Sequence, residues 1–191
     1  LNGRQHKAYE KEKNIIPSCP AKDKFKAEGH ISTTHIIAII AGQQNYAEKY
    51  ALYSQVPDAQ ALRFSAPAVS VWGTVTFWEW FDYRHNINAI LHSLHGGNET
   101  QVNVRREKLA KLINDLVKDD PENNAWKIGF LIHALGDSYA HVYDDGNGND
   151  TRAYGELIGH LCVKGSFRPD SIPSNLENYL AFVKALYTAL N

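Results

Sequence analysis

The segment WKIGFLIHALGDSYAHVYDD, residues 126–145, constrains the fold more than any other part of the chain. His133, Asp137, His141 and Asp145 recur every fourth residue. In an α-helix each such step advances about 40°, so the side chains share one face about 120° wide. The rest of the segment is apolar (Phe130, Leu131, Ala134), which marks a helix for the interior. Imidazoles and carboxylates buried there are destabilising unless something satisfies them. A divalent metal ion, zinc first among the candidates, satisfies all of them at once, and the alternative is a His–Asp hydrogen-bond network tying helices together. Asp145 stands at the edge of the Gly/Asn-rich stretch DDGNGND and reads as a solvated turn residue. The Asp-x-Asn-x-Asn spacing there lacks the sixth-position glycine and distal Glu of a calcium loop.

The chain of 191 residues, 43% hydrophobic and 21% charged, suits one domain with a sizeable core. A net charge of −1 provides no global field for nucleic acid or an acidic membrane. No apolar run reaches the roughly 18–20 residues of a membrane span, and no secretion signal is visible. The chain starts at Leu1 and contains no Met, so it is expected to be a processed product or a piece of something longer, secreted as part of a larger protein. Cys19 and Cys162 are too few for a disulfide framework and fit no zinc-finger spacing. Any zinc would then be held by His, Asp and Glu, the ligand types of catalytic sites.

Residues 1–29 read as a polar arm or linker, and residues 30–191 as one helical domain. An apolar helix follows His30 and breaks at Ala41-Gly42, a second run covers 43–55 and stops at Pro57. Residues 61–82, with Trp72, Trp78 and Trp80, suggest a small hairpin or irregular insertion. Helical spacing returns over 84–95 and ends at Gly96-Gly97. Residues 100–118 form an amphipathic helix with Leu109, Leu112, Ile113 and Leu116 inward, and 154–163 and 174–190 also read as helices. The fold class is all-α, a bundle of about six or seven helices around a metal cluster.

Other donors lie on separate segments. His30 opens the first apolar helix. Asp58 follows a helix end in SQVPD, where turn formation is its ordinary role. His92 and His95 are three apart, and one of them reads as polar surface. His160 sits in GELIGHLCVKG, where a satisfied core histidine is the alternative to a ligand. Arg105, Arg106, Lys108 and Lys111 read as a solvated helix face or a phosphate-binding strip.

The phrases HALGDSYAHV, SQVPD and GHLCVKGSFRPD resemble motifs of the zinc-dependent phospholipase C / P1 nuclease superfamily, across about residues 30–190. The resemblance implies a helical bundle holding one to three zinc ions and hydrolysing phosphodiesters. It implies His133, Asp137 and His141 as ligands, completed by His30, Asp58, His92 or His95, and His160. It gives Asp58 a further role in accepting the water proton. Tyr139 and Tyr143, near the ligands in sequence, are candidates for donating to phosphate, with packing as the ordinary role of each. The expected activity is phospholipase C-like hydrolysis of a phospholipid, with a nuclease on the same scaffold or a non-catalytic helical interaction domain as alternatives. A toxin or effector domain, with an immunity or carrier protein as partner, is the expected setting.

Overall fold

The computed structural model describes residues 28–59, 83, 85–144, 151–155 and 172–191. The expected insertion at 61–82, His160, Asp145, both cysteines and nearly all of the N-terminal arm lie outside the described residues. The described chain is a helical bundle with one small hairpin. Five α-helices make the frame: α1 (Thr33–Ile40), α2 (Ala47–Gln55), α3 (Glu99–Asp119), α4 (Ala125–Ala140) and α5 (Leu176–Leu190).

α4 is the central element and packs against α2, α3 and α5. Its apolar residues Ile128, Ile132 and Leu135 are fully buried, and so are the small and polar positions between them, which is the pattern of a helix enclosed on most sides. Around it the core gathers Tyr50, Leu109, Ile113, Phe182, Leu186 and Leu190. α3 begins with a capping box: Asn98 Oδ1 accepts from Gln101 N at 3.1 Å, and Gln101 Oε1 accepts from Asn98 N at 3.0 Å. Leu109 and Ile113 face inward as its spacing predicts, whereas Leu112 is exposed. Gly42, with φ of +84°, terminates α1 as expected, and its neighbours donate back into the helix, Ala41 N to Ile37 O and Gln43 N to Ala38 O. Gln43 Nε2 and Asn114 Nδ2 donate to the carbonyls of Leu190 and Ala189, closing the end of α5.

Two positions on α4 set how closely its neighbours approach. A Cβ at Gly129 would lie 2.2 Å from Tyr53 Cβ and 3.0 Å from Ser54 N, so only glycine admits α2 at this distance. A Cβ at Gly136 would lie 3.2 Å from His30 Cε1 and 3.3 Å from Phe182 Cζ.

Four segments differ from the sequence reading. The helix expected over 84–95 is a π-helical turn, Asn86–Leu91, that stops before His92. Leu94 N donates to Asn88 O at 2.9 Å and Ser93 adopts φ of +54°, which turns the backbone out of the helix well before Gly96-Gly97. The Asp144 end of the expected loop belongs to a strand: β1 (Val142–Asp144) pairs antiparallel with β2 (Thr151–Ala153), Val142 opposite Ala153. Tyr154 and Gly155, expected to start a helix, instead continue from β2, and Gly96 N donates to Tyr154 O while Ala153 N donates to Gly97 O. Finally, Glu28 and Gly29 are not arm but part of a π-helical turn, Glu28–Ser32, that carries His30 into α1. Among the described residues no helix is long and apolar enough to cross a membrane.

Candidate metal centre

Four segments converge on one face of α4. His133 and Asp137 stand one turn apart on the helix, and His141 follows it as the C-terminal cap. Although His141 has left helical geometry, its N still donates to Asp137 O at 2.8 Å, so the four-residue step is kept. The π-helical turn before α1 brings His30. The end of α2 runs into a 3₁₀ turn, Val56–Asp58, that presents Asp58. His92 follows the second π-helical turn directly. Each π turn inserts an extra residue per turn and re-aims the side chains next to it, a device frequent at functional sites.

Asp137 is the hub. Its Oδ2 lies 3.1 Å from His92 Nδ1, 3.1 Å from His133 Nε2 and 3.7 Å from His141 Nδ1, and its Oδ1 lies 3.5 Å from His30 Nε2. His133 Nε2 and His92 Nδ1 are themselves 3.2 Å apart. Asp58 Oδ1 stands 3.9 Å from His92 Nδ1 and is the most open member of the cluster, its side chain 14% exposed. Two overlapping groups could hold a metal ion, His30–His133–Asp137 and Asp58–His92–His133, with His133 common to both.

Proton placement explains why a cation fits. His133 Nδ1 lies 2.9 Å from the Ser54 carbonyl, and His141 Nδ1 lies 2.7 Å from the His92 carbonyl. A carbonyl only accepts, so each ring carries its proton on Nδ1 and, when neutral, a bare lone pair on Nε2. The His133 lone pair then faces a carboxylate oxygen at hydrogen-bond distance with no proton of its own to place between them. Protonating His133 would cure this, but burial pushes its imidazole below its ordinary value, against the pull of Asp137. A single proton on His92 Nδ1 cannot serve all three edges of the triangle. One cation can.

Asp137 stays ionised. Burial pushes its carboxyl up, but His133, His141 and His30 together hold it well below the usual carboxylate range. Burial pushes His30 down, yet the hydrogen bond and charge of Asp137 and the charge of Asp58 leave it above its ordinary value.

The segment that carries His92 is held from the side. Ser93 Oγ donates to Ala134 O at 2.8 Å and accepts from Arg105 Nε at 3.2 Å, which stabilises a left-handed backbone at a non-glycine residue. Arg106 donates twice to Ser138 O, at 3.2 and 2.8 Å, and stacks on the Tyr139 ring at 3.9 Å. Both arginines are thus engaged with the fold, whereas Lys108 and Lys111 of the same basic run are exposed.

Of the expected site residues, His141 and His95 belong to neither donor group; the Nδ1 of His95 accepts from Gly97 N at 3.1 Å. His95→Ala is expected to leave metal content unchanged by elemental analysis, at the loss of that one backbone contact. Tyr139 packs on Arg106 and Phe182, and Tyr143 pairs with Tyr154 at 4.8 Å between ring centroids. The sequence reading missed Ser54, Ser93 and Gly129, whose work is done through backbone groups or through the lack of a side chain. Comparison with models of known protein families, with curated proteins and with solved structures returns no match.

Proposed function

We propose that the chain is a zinc-dependent phosphodiesterase of phospholipase C type. One observation carries the metal: the triangle of His92 Nδ1, His133 Nε2 and Asp137 Oδ2, with edges of 3.1, 3.1 and 3.2 Å. Tetrahedral zinc with bonds of about 2.0–2.1 Å sets its ligand atoms about 3.3–3.4 Å apart, close to these edges. The donors are nitrogen and carboxylate oxygen without thiolate, which favours a catalytic over a structural zinc site. His30 and Asp58 supply further donors beside the triangle, one in each of the two overlapping groups.

A divalent cation, when bound, would supply a water of pKa lowered towards about 7 and offset negative charge that develops on the phosphoryl oxygens. The residues have separate tasks. Asp137 binds and compensates charge from the base of the cluster. The Nδ1 protons of His133 and His141 are held by carbonyls, so neither ring rotates away from the site. Asp58, partly open to solvent, would take up a proton from an attacking water. The resemblance of HALGDSYAH and SQVPD to the phospholipase C / P1 nuclease superfamily supports phosphodiesters as the substrate class.

The test is hydrolysis of phosphatidylcholine vesicles and of single-stranded DNA by the purified chain, each with and without chelator, beside elemental analysis. Chelator-sensitive release of the phosphorylated headgroup supports the proposal. Cleavage of DNA alone moves the chain to the nuclease reading, and a metal-free chain inert on both is a helical interaction domain. Stabilisation by zinc is further expected to grow from about pH 6 to about pH 8, because ligation requires unprotonated His30 and ionised Asp137. Without metal, the raised His30 pKa contributes stability that is full below 6.5 and is lost as pH rises through the raised value. The lowered Asp137 pKa contributes stability present above 3.8 and lost as pH falls towards its lowered value. Melting curves with and without zinc at the two pH values would sink this if the zinc increment shrank with rising pH.

A further inference from the structure

We infer that Ser54 is a positioning residue that holds two members of the donor cluster at once, the His133 ring through its carbonyl and the His30 backbone through its hydroxyl. The inference rests on the metal-site reading above. Ser54 is fully buried on the last turn of α2. Its carbonyl accepts from His133 Nδ1 at 2.9 Å. Its Oγ donates to Ala51 O at 2.8 Å and to His30 O at 3.1 Å, a single proton shared between two carbonyls.

These contacts do different things. The carbonyl fixes the tautomer of His133, so that its Nε2 lone pair is turned to Asp137 and His92. Outer partners of this kind orient a ligand ring and raise its basicity. The hydroxyl acts on the backbone of His30, tying the π-helical turn to α2. With both in place the His30 and His133 rings lie stacked, centroids 4.4 Å apart and 29° between planes. Asp58 follows Ser54 by four residues, so one short run supplies a donor and the support of two others. Gly129 makes this possible, because a larger residue there would meet the Ser54 backbone.

The experiment pairs Ser54→Ala with histidine ring spectra. The variant keeps the carbonyl and loses only the hydroxyl. Zinc affinity, measured by competition with a chromophoric chelator, is expected to fall about tenfold or more. In two-bond ¹H–¹⁵N spectra the His30 signals shift, while those of His141, which is held by the His92 carbonyl, stay in place; a general loosening of the fold would move both. Wild-type His133 is expected to carry its proton on Nδ1. Zinc affinity within twofold of wild type with unmoved His30 signals would overturn the inference, as would a wild-type His133 protonated on Nε2 alone. Should Ser54→Ala fail to fold, the wild-type tautomer decides. A wild type that takes up no zinc would end the proposed function, whereas the ring spectra would still decide the role of Ser54.

Discussion

An Asp137→Asn chain is expected to purify without bound metal and to unfold well below the wild type. The Asp137 carboxylate lies within 3.1–3.7 Å of ring nitrogens of His30, His92, His133 and His141. Asparagine keeps the volume but loses the charge, and its amide nitrogen would confront ring nitrogens that need an acceptor or a cation. Removing one partner of a buried charge pair costs about 3–5 kcal/mol, because the other side stays buried without compensation. For a chain of this size that lowers the melting temperature by on the order of 10 °C. Elemental analysis and calorimetry on the same preparation check both effects. A variant with wild-type metal content and an unchanged melt would remove Asp137 from the centre of the site.

Gly129→Ala is expected to damage stability and metal binding together, although residue 129 touches no donor atom. The added Cβ would sit 2.2 Å from Tyr53 Cβ and 2.8 Å from Tyr53 C. Those are fixed atoms of α2, not the end of a flexible side chain, so the helix itself must move. Forcing a group into a packed contact costs about 1–3 kcal/mol, with backbone displacement at the upper end. The displacement carries the Ser54 carbonyl away from His133, and zinc affinity falls with it. Gly155, around which a Cβ would meet nothing within 4 Å, provides the matched substitution that should change neither. Equal melting temperatures for the two alanine variants would show that α2 and α4 are not set by this contact.

The contrast between what was and was not legible follows from range. α4 and its donors could be read because helical period is local: four-residue spacing puts His133, Asp137 and His141 in one row whatever else the chain does. His30, Asp58 and His92 were legible as donor types, but only tertiary packing decides that His92 joins the cluster while His95 turns to Gly97 N. The supports were illegible for a chemical reason. The acceptors that fix His133 and His141 are main-chain carbonyls of Ser54 and His92, and every residue has one, so the sequence bears no mark of the choice. The π turns at Glu28–Ser32 and Asn86–Leu91 leave a period close enough to helical that spacing alone cannot distinguish them. The hairpin has strands of three residues, too short for alternation to register, and its turn chemistry in DDGNGND reads equally well as an open loop.

The most enclosed helix of the bundle is also the rail on which the donors are mounted. An ion held as proposed would rest on His133 and Asp137 from the interior, with the partly exposed Asp58 marking the side by which it exchanges. A chelator would then strip it faster than the bundle unfolds, and the emptied protein would still melt as a folded chain.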